Sequence, residues 1–393
     1  MSDSDREHEE EEQPQQYHGR RIPTMEERRL IPSPPPPPRD TWYRGKMQGF
    51  PAEVQLKCRN SLVQEIKSTL QRIGGEDLLQ HFKTTPPFGH LLDLRRRGSA
   101  NTALHELLAR ELYVPGNEFE RIFHVAGRDI RFGAQEFCLV TGLGFGPTTF
   151  NPNGRNHIVP SSNLFHTFYG GRKVAIEELL RDFTDASRVI GSVDQYLRAA
   201  DLLVYYFLIL CREKRPFDEW TWTLVEDQDQ WARFPWGSWA FQIMCHQLGV
   251  AKKDPTEIGG RKNRAAYHLY GPAWAFTLWV YEAIPDLAEC CGVRDEPTLL
   301  PRLRRWRTWS LHLDFSGFFD NPTLRVHDTL DADRAEEMTY YFQSFLESND
   351  RFSPRFDPSG RHSWKKLPVQ ERKSKAAREM EKVKDKLKCQ DTS

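Results

Sequence analysis

The chain has 393 residues, 55 of them basic and 55 acidic, so its formal net charge is zero. That length is enough to bury a sizeable core, and the zero charge argues against a whole-molecule basic binder of nucleic acid. The seven cysteines are odd in number and widely scattered, with no CxxC or Cys/His ligand spacing, which argues against a disulfide scaffold and a zinc site.

The neutrality is a cancellation. Residues 1–12 carry seven Asp/Glu and one Arg, residues 361–393 carry eleven Lys/Arg and five Asp/Glu, and the stretch between is neutral. The acidic start lacks the basic-then-apolar pattern of a secretory signal. The most apolar runs, residues 202–211 and 273–280, are far shorter than the ~20 residues that span a bilayer. The expectation is a nuclear or cytoplasmic protein of a reducing compartment, not secreted and without a membrane partner.

Residues 1–49 read as a disordered acidic and proline-rich arm. Five consecutive prolines at 34–38 favour extended polyproline II backbone, as a tether or as a ligand for a proline-binding domain. From about residue 50, Val54, Leu62, Val63, Ile66, Leu70 and Ile73 recur near helical spacing and stop at Gly74-Gly75, a plausible helix end. A second helix starts at Asn101 or Thr102, carries Leu104, Leu107, Leu108 and Leu112 on one face, and ends at Pro115-Gly116. Phe123 and Val125, then Ile130 and Phe132, alternate about Gly127 and predict a β-hairpin. A short helix follows from Gly133 through Val140, closed by Gly142, and a Gly/Pro/Asn-rich connection runs to about Gly171.

Further helices are predicted over 174–183, 195–214, 238–248, 272–284, 303–313 and 334–346, with loops at 251–264 and 292–301. The run at 202–211 is apolar nearly all round, which marks a buried central helix. Residues 370–388 combine strong helix formers with a thin apolar stripe through Ala376, Met380, Val383 and Leu387, a marginal helix on its own. The fold class is therefore mainly α: one compact helical domain over 50–350 with a small β-hairpin, flanked by disordered termini, the second being a basic, partly helical tail at 351–393.

Candidate chemistry is sparse. The glycines of residues 141–146 lack the strand-before, helix-after context of a phosphate loop and read as a helix cap with close packing. Cys290-Cys291 has no assigned base or orienting partner, and His312 with Asp314 would make only two metal ligands. No cofactor and no catalytic residue are expected. Nine of the eleven tryptophans fall between Trp220 and Trp309. Of these, Trp220, Trp222, Trp236 and Trp239 are candidates for a recognition groove, against the alternative of core packing. Arg302, Arg304, Arg305 and Arg307 interleave with Trp306 and Trp309, a composition suited to phosphates and bases, against the alternative of a solvated helix face. In the tail, Lys365, Lys366, Arg372, Lys373 and Lys375 are candidates for nucleic-acid binding or nuclear targeting.

Three stretches carry a family likeness. The first runs from Phe123 to Leu143 and includes Arg131, Phe132, Glu136, Phe137, Thr141, Gly142 and Leu143. The second is Phe234-Pro235-Trp236-Gly237, and the third spans 267–285 with Gly271, Tyr281, Glu282 and Pro285, followed by Pro301-Arg302-Leu303 and Trp306. Together, over residues 75–310, they resemble a plant-specific domain of unknown function, often found ahead of ubiquitin-like-protease cysteine peptidase domains in proteins related to Mutator-like transposable elements. The layout is more distantly similar to the plant mobile domain. Gly133 stands where the family's cap is usually Ser/Thr-like, and Gly144-Phe145-Gly146 where a cysteine commonly follows. After residue 310 this sequence holds no peptidase signature, so the resemblance carries no protease activity here. It implies a non-enzymatic interaction module of a transposon-derived protein, binding protein in the nucleus, with nucleic-acid binding through the tail and residues 302–307 as the alternative. Partner identity and oligomeric state are left open.

Overall fold

The computed structural model describes residues 53–348 apart from 59–60, 95–100, 113–118, 148–163, 173, 212–217, 252–265, 295, 309–314 and 316. All of them lie in the larger of two structural units, residues 40–393. Helices dominate, as the periodicity predicts. The helix α1 (Ser61–Thr84) breaks where Gly74-Gly75 announces it, with Gly75 at φ 70°, but resumes at Glu76 and runs to Thr84 in the same element. Next come α2 (Asn101–Leu108), α3 (Ala134–Thr141), α4 (Leu164–Tyr169), α5 (Ile176–Thr184) and α6 (Val193–Val204). The α6 segment opens with Gln195 Oε1 accepting from the Ser192 N–H at 2.7 Å. It continues into a π-helical turn, Tyr205–Ile209, in which every residue is buried.

Next are α7 (Glu219–Glu226), α8 (Gln228–Arg233), α9 (Trp236–Ala251), α10 (Ala273–Ala283) and α11 (Pro285–Cys291); of these α7, α8 and α11, like α4 before them, are helices that the periodicity does not predict. The region predicted as one helix over 334–346 is instead two, α12 (Arg334–Glu337) and α13 (Tyr340–Ser348). The predicted helix over 303–313 is a correction of a different kind. Residues Arg302–Arg305 form a 3-10 turn and Trp306–Thr308 a strand, because the arginines turn inward to distant carboxylates rather than outward around a helix.

The predicted hairpin is present as β3 (Arg121–Val125) and β4 (Arg128–Phe132), extended by β2 (Glu111–Leu112) into a three-stranded antiparallel sheet. Its two-residue turn has Ala126 at φ 53° and Gly127 at φ 75°, the positive pair that matches strand twist. Val54 belongs not to a helix but to β1 (Glu53–Leu56), which pairs in parallel with β5 (Ala266–Leu269). The strands β6 (Gly292–Arg294) and β7 (Trp306–Thr308) form a third small sheet.

The core follows from these placements. The alternating Phe123 and Phe132 face α10, with ring centroids 5.5 and 5.0 Å from Trp279. All of α10 is buried except Glu282, itself only partly accessible. Among the described residues no helix is long and apolar enough to cross a membrane.

Two glycines at nearly equal positive φ separate backbone strain from crowding. A Cβ at Gly127 meets nothing within 4 Å, whereas one at Gly142 (φ 69°) would lie 2.6 Å from Pro301 Cγ. Gly127→Ala should lower stability by about 1 kcal/mol from backbone strain alone. Gly142→Ala should cost clearly more in urea denaturation; equal losses would contradict this packing.

Candidate docking cleft

Two signature segments far apart in sequence meet in space. The turn after α3 carries Gly144, whose carbonyl accepts from the Gly237 N–H at 2.7 Å. Ser238 Oγ donates to Gly146 O at 2.9 Å and accepts from the Gly146 N–H at 3.0 Å. This approach requires glycine at 237, because a Cβ there would stand 2.5 Å from the Phe145 ring. The Tyr340–Tyr341 end of α13 closes the arrangement, with Ser344 Oγ accepting from the Phe145 N–H at 2.9 Å.

Between these segments and the turn after α1 lies a cleft of about 160 Å³, walled by Pro86, Pro87, Phe145, Phe234, Pro235 and Tyr340. Its floor is an aromatic stack. Trp236 is buried with ring centroids 4.4 Å from Phe234, 4.6 Å from Trp231 and 4.9 Å from Phe88 and Tyr205. Its Nε1 donates to Trp231 O at 2.8 Å. Arg233 and Tyr340, 70% exposed, stand at the rim.

The ionisable groups of the lining are poorly suited to proton transfer. His90 Nε2 lies 2.8 Å from Thr141 O, so it carries the proton and donates. Burial pushes the His90 pKa down to about 4, which leaves the ring neutral. Burial likewise pushes the Tyr341 hydroxyl up to about 12. Lys83 is held by Asp93 at 2.9 Å. The lining is mixed, with Lys83, Thr84, Thr85 and Arg233 beside the proline and aromatic rings.

Residues 108–247 match the family model of a domain of unknown function, DUF1985. Over this stretch, about a third of the chain, the sequence is similar to that domain. No curated protein and no solved structure matches the chain.

The match contains the first two signature stretches, and both contribute to the cleft. Within the DUF1985 segment, Phe137 packs on Phe241 at 5.5 Å, and Thr141 Oγ1 donates to Phe137 O at 2.7 Å. Leu143 is buried, and the Arg131 side chain is 3.6 Å from Glu120. Glu136 is buried and accepts from the Gly133 N–H at 2.9 Å and the Leu330 N–H at 3.3 Å. Gly133 thus caps α3 with its backbone, and the glutamate three residues on replaces the side-chain cap that glycine lacks.

The third stretch lies outside the DUF1985 match but is tied to it. Gly271, at φ 75°, donates its N–H to Leu210 O at 3.1 Å. Tyr281 packs on Trp306 at 5.7 Å, and Pro285 begins α11. Glu282 accepts from Trp306 Nε1 at 2.5 Å and Arg302 Nη1 at 3.3 Å. Arg302 also grips Glu336 through Nε and Nη2, both at 2.7 Å, and Arg305 Nη2 reaches the same carboxylate at 2.9 Å. Arg302 and Arg305 are therefore buried ion-pair partners, not phosphate contacts, which corrects their reading as nucleic-acid candidates. Arg304 is bound to Asp93 at 2.8 Å, and Arg307 is exposed. Trp220, Trp222, Trp236 and Trp239 are at most 6% exposed, so they are core and cleft floor rather than an open groove. Lys365, Lys366, Arg372, Lys373 and Lys375, and the pair His312 and Asp314, lie outside the described residues.

Sequence reasoning missed His90, Asp93 and Glu336, whose partners are remote in the chain and leave no local signal. Among the described residues no group of three or more His, Cys, Asp or Glu is placed to hold a metal. Cys291 is buried, and its thiol is pushed up to about 11, the reverse of an activated nucleophile.

Glu136 gives a pH test. Burial raises its pKa to about 7, so the folded chain holds the proton more tightly than the unfolded chain does. Its stabilising contribution is complete below about 4.5 and is lost as pH rises through about 7. His90 runs the other way, its contribution being lost as pH falls from 6.5 through about 4. Glu136→Gln removes only the first dependence. Its stability relative to the parent should therefore rise between pH 5 and 8, by on the order of 3 kcal/mol in denaturant titrations. Parallel pH curves would contradict the assignment.

Proposed function

We propose that this protein is a non-enzymatic interaction module whose folded body docks a protein partner, acting in the nucleus in a transposon-derived setting. The observation that carries this reading is the cleft. Two segments of the DUF1985-like stretch converge on a recess whose proline and aromatic side chains stand beside Lys83, Thr84, Thr85 and Arg233, with a neutral histidine in its lining. The nuclear and transposon elements rest on the family resemblance and on the basic tail.

The nucleic-acid alternative loses two of its four arginines to the buried ion cluster, and now depends on Arg307 and the tail. Affinity capture with the full chain separates the readings. Ala232 sits half-buried on the cleft wall, and Ala232→Arg would block the recess. Capture that survives nuclease and falls at least tenfold with Ala232→Arg is expected, a loss of about 1.4 kcal/mol. Capture abolished by nuclease would favour nucleic acid, and capture indifferent to Ala232→Arg would remove the cleft as the docking site.

A further inference from the structure

The C-terminal end of the described fold presents an outward face that the other described residues leave exposed. The helix α13 buries Tyr341, Phe342, Ser344, Phe345 and Ser348, whereas Tyr340, Gln343, Leu346 and Glu347 are exposed. Their spacing of three to four residues places them on one stripe. Met338 at 79%, Tyr340 at 70% and Leu346 at 39% are among the most exposed large apolar side chains in the described residues. Exposed apolar side chains gathered within residues 338–346 mark a candidate interaction surface. The shelf is also acidic: Asp331, Asp333, Glu337 and Glu347 are exposed, against Arg334 alone among exposed bases of residues 331–348.

The chain itself supplies a complementary partner. Residues 361–393 carry eleven Lys/Arg and five Asp/Glu, and Ala376, Met380, Val383 and Leu387 are spaced 4-3-4 on one helical face. The tail leaves from Ser348, the last residue of α13 itself. Twenty-one residues, 349–369, separate α13 from this segment; a random coil of that length has a root-mean-square span of roughly 25 Å, whereas α13 is only about 13 Å long, so return to the shelf is sterically easy. Pairing of one tail with another copy's tail would bring together two chains of like net charge; the shelf offers the opposite charge.

We propose that residues 370–388 fold back as a helix onto this shelf of their own chain. The tail's apolar stripe covers Met338, Tyr340 and Leu346, and its lysines face the shelf carboxylates. The inference stands apart from the docking proposal, since its test reads the tail and not a partner.

The experiment is zero-length carbodiimide cross-linking of the full chain, mixed from isotope-labelled and unlabelled protein, with peptides identified by mass spectrometry. Links from lysines of 373–388 to Asp331, Asp333, Glu337 or Glu347 within one isotopic chain are expected. The double variant Met338→Ser/Tyr340→Ser should reduce these links and speed tryptic cleavage in 370–388, each by about tenfold, as the open tail becomes the major state. Glu337→Lys/Glu347→Lys should do the same in a salt-sensitive manner, and an unchanged thermal midpoint in each variant shows that the fold is intact. Absence of tail–shelf links, their persistence in both variants, or links only between differently labelled chains would overturn the proposal, the last in favour of a second copy.

Discussion

Glu336 is fully buried, and its carboxylate is the constraint around which the C-terminal third of the described fold is arranged. A lone carboxylate in such a place would cost several kcal/mol of lost hydration. Here both oxygens are saturated. Arg302 binds them in a two-pronged grip, Arg305 adds a further donor, and the Asp333 N–H donates at 3.0 Å. Glu282 brings the second negative charge, so two guanidiniums and two carboxylates balance. The four members come from three stretches: Glu282 from the end of α10, Arg302 and Arg305 from the 3-10 turn, and Glu336 from α12. The cluster therefore fixes these three stretches against each other, and α13, which follows, is delivered to the edge of the cleft.

A separate set of contacts, from residues 328–330, ties the chain outside the DUF1985 match to residues inside it. Leu330 donates to Glu136 Oε1, Gln135 Nε2 donates to Leu330 O at 2.7 Å, and the Arg131 N–H donates to Asp328 O at 2.8 Å. Signature residues that look local in sequence thus serve distant contacts: Glu282 with residues 20 and 24 positions away, and Glu136 with one 194 positions away. The cleft inherits this dependence, since its walls come from the ends of α1, α3, α8 and the start of α13.

Periodic patterns made much of the fold legible. The hairpin about Gly127, the helix closed by Gly142, and the buried helix running into residues 202–209 all follow from spacing and punctuation alone. The misses share one physical cause, which is that long-range partners override local preference. Val54 sits at helical spacing but pairs with Tyr267 in a parallel ladder whose other strand lies over two hundred residues away. Residues 303–313 look like a basic amphipathic helix, yet Arg302 and Arg305 are drawn inward by Glu336, and the backbone tightens into a 3-10 turn. The tryptophans were legible as aromatic mass, but whether they face solvent or each other depends on the meeting of α7, α8 and α9. The cleft was not legible at all, although the glycines and the Phe-Pro-Trp-Gly stretch that build it were already singled out.

The central claim is that Glu336 joins α3, α10 and residues 326–348 into one cooperative unit. Hydrogen exchange of the full chain, comparing the parent with Glu336→Gln, tests it most directly. The account predicts that protection falls together in 134–141, 273–283 and 326–348, by about 3–5 kcal/mol, because removing one partner strands two buried guanidiniums. Loss of protection confined to 334–348, with the other two stretches unchanged, would contradict it.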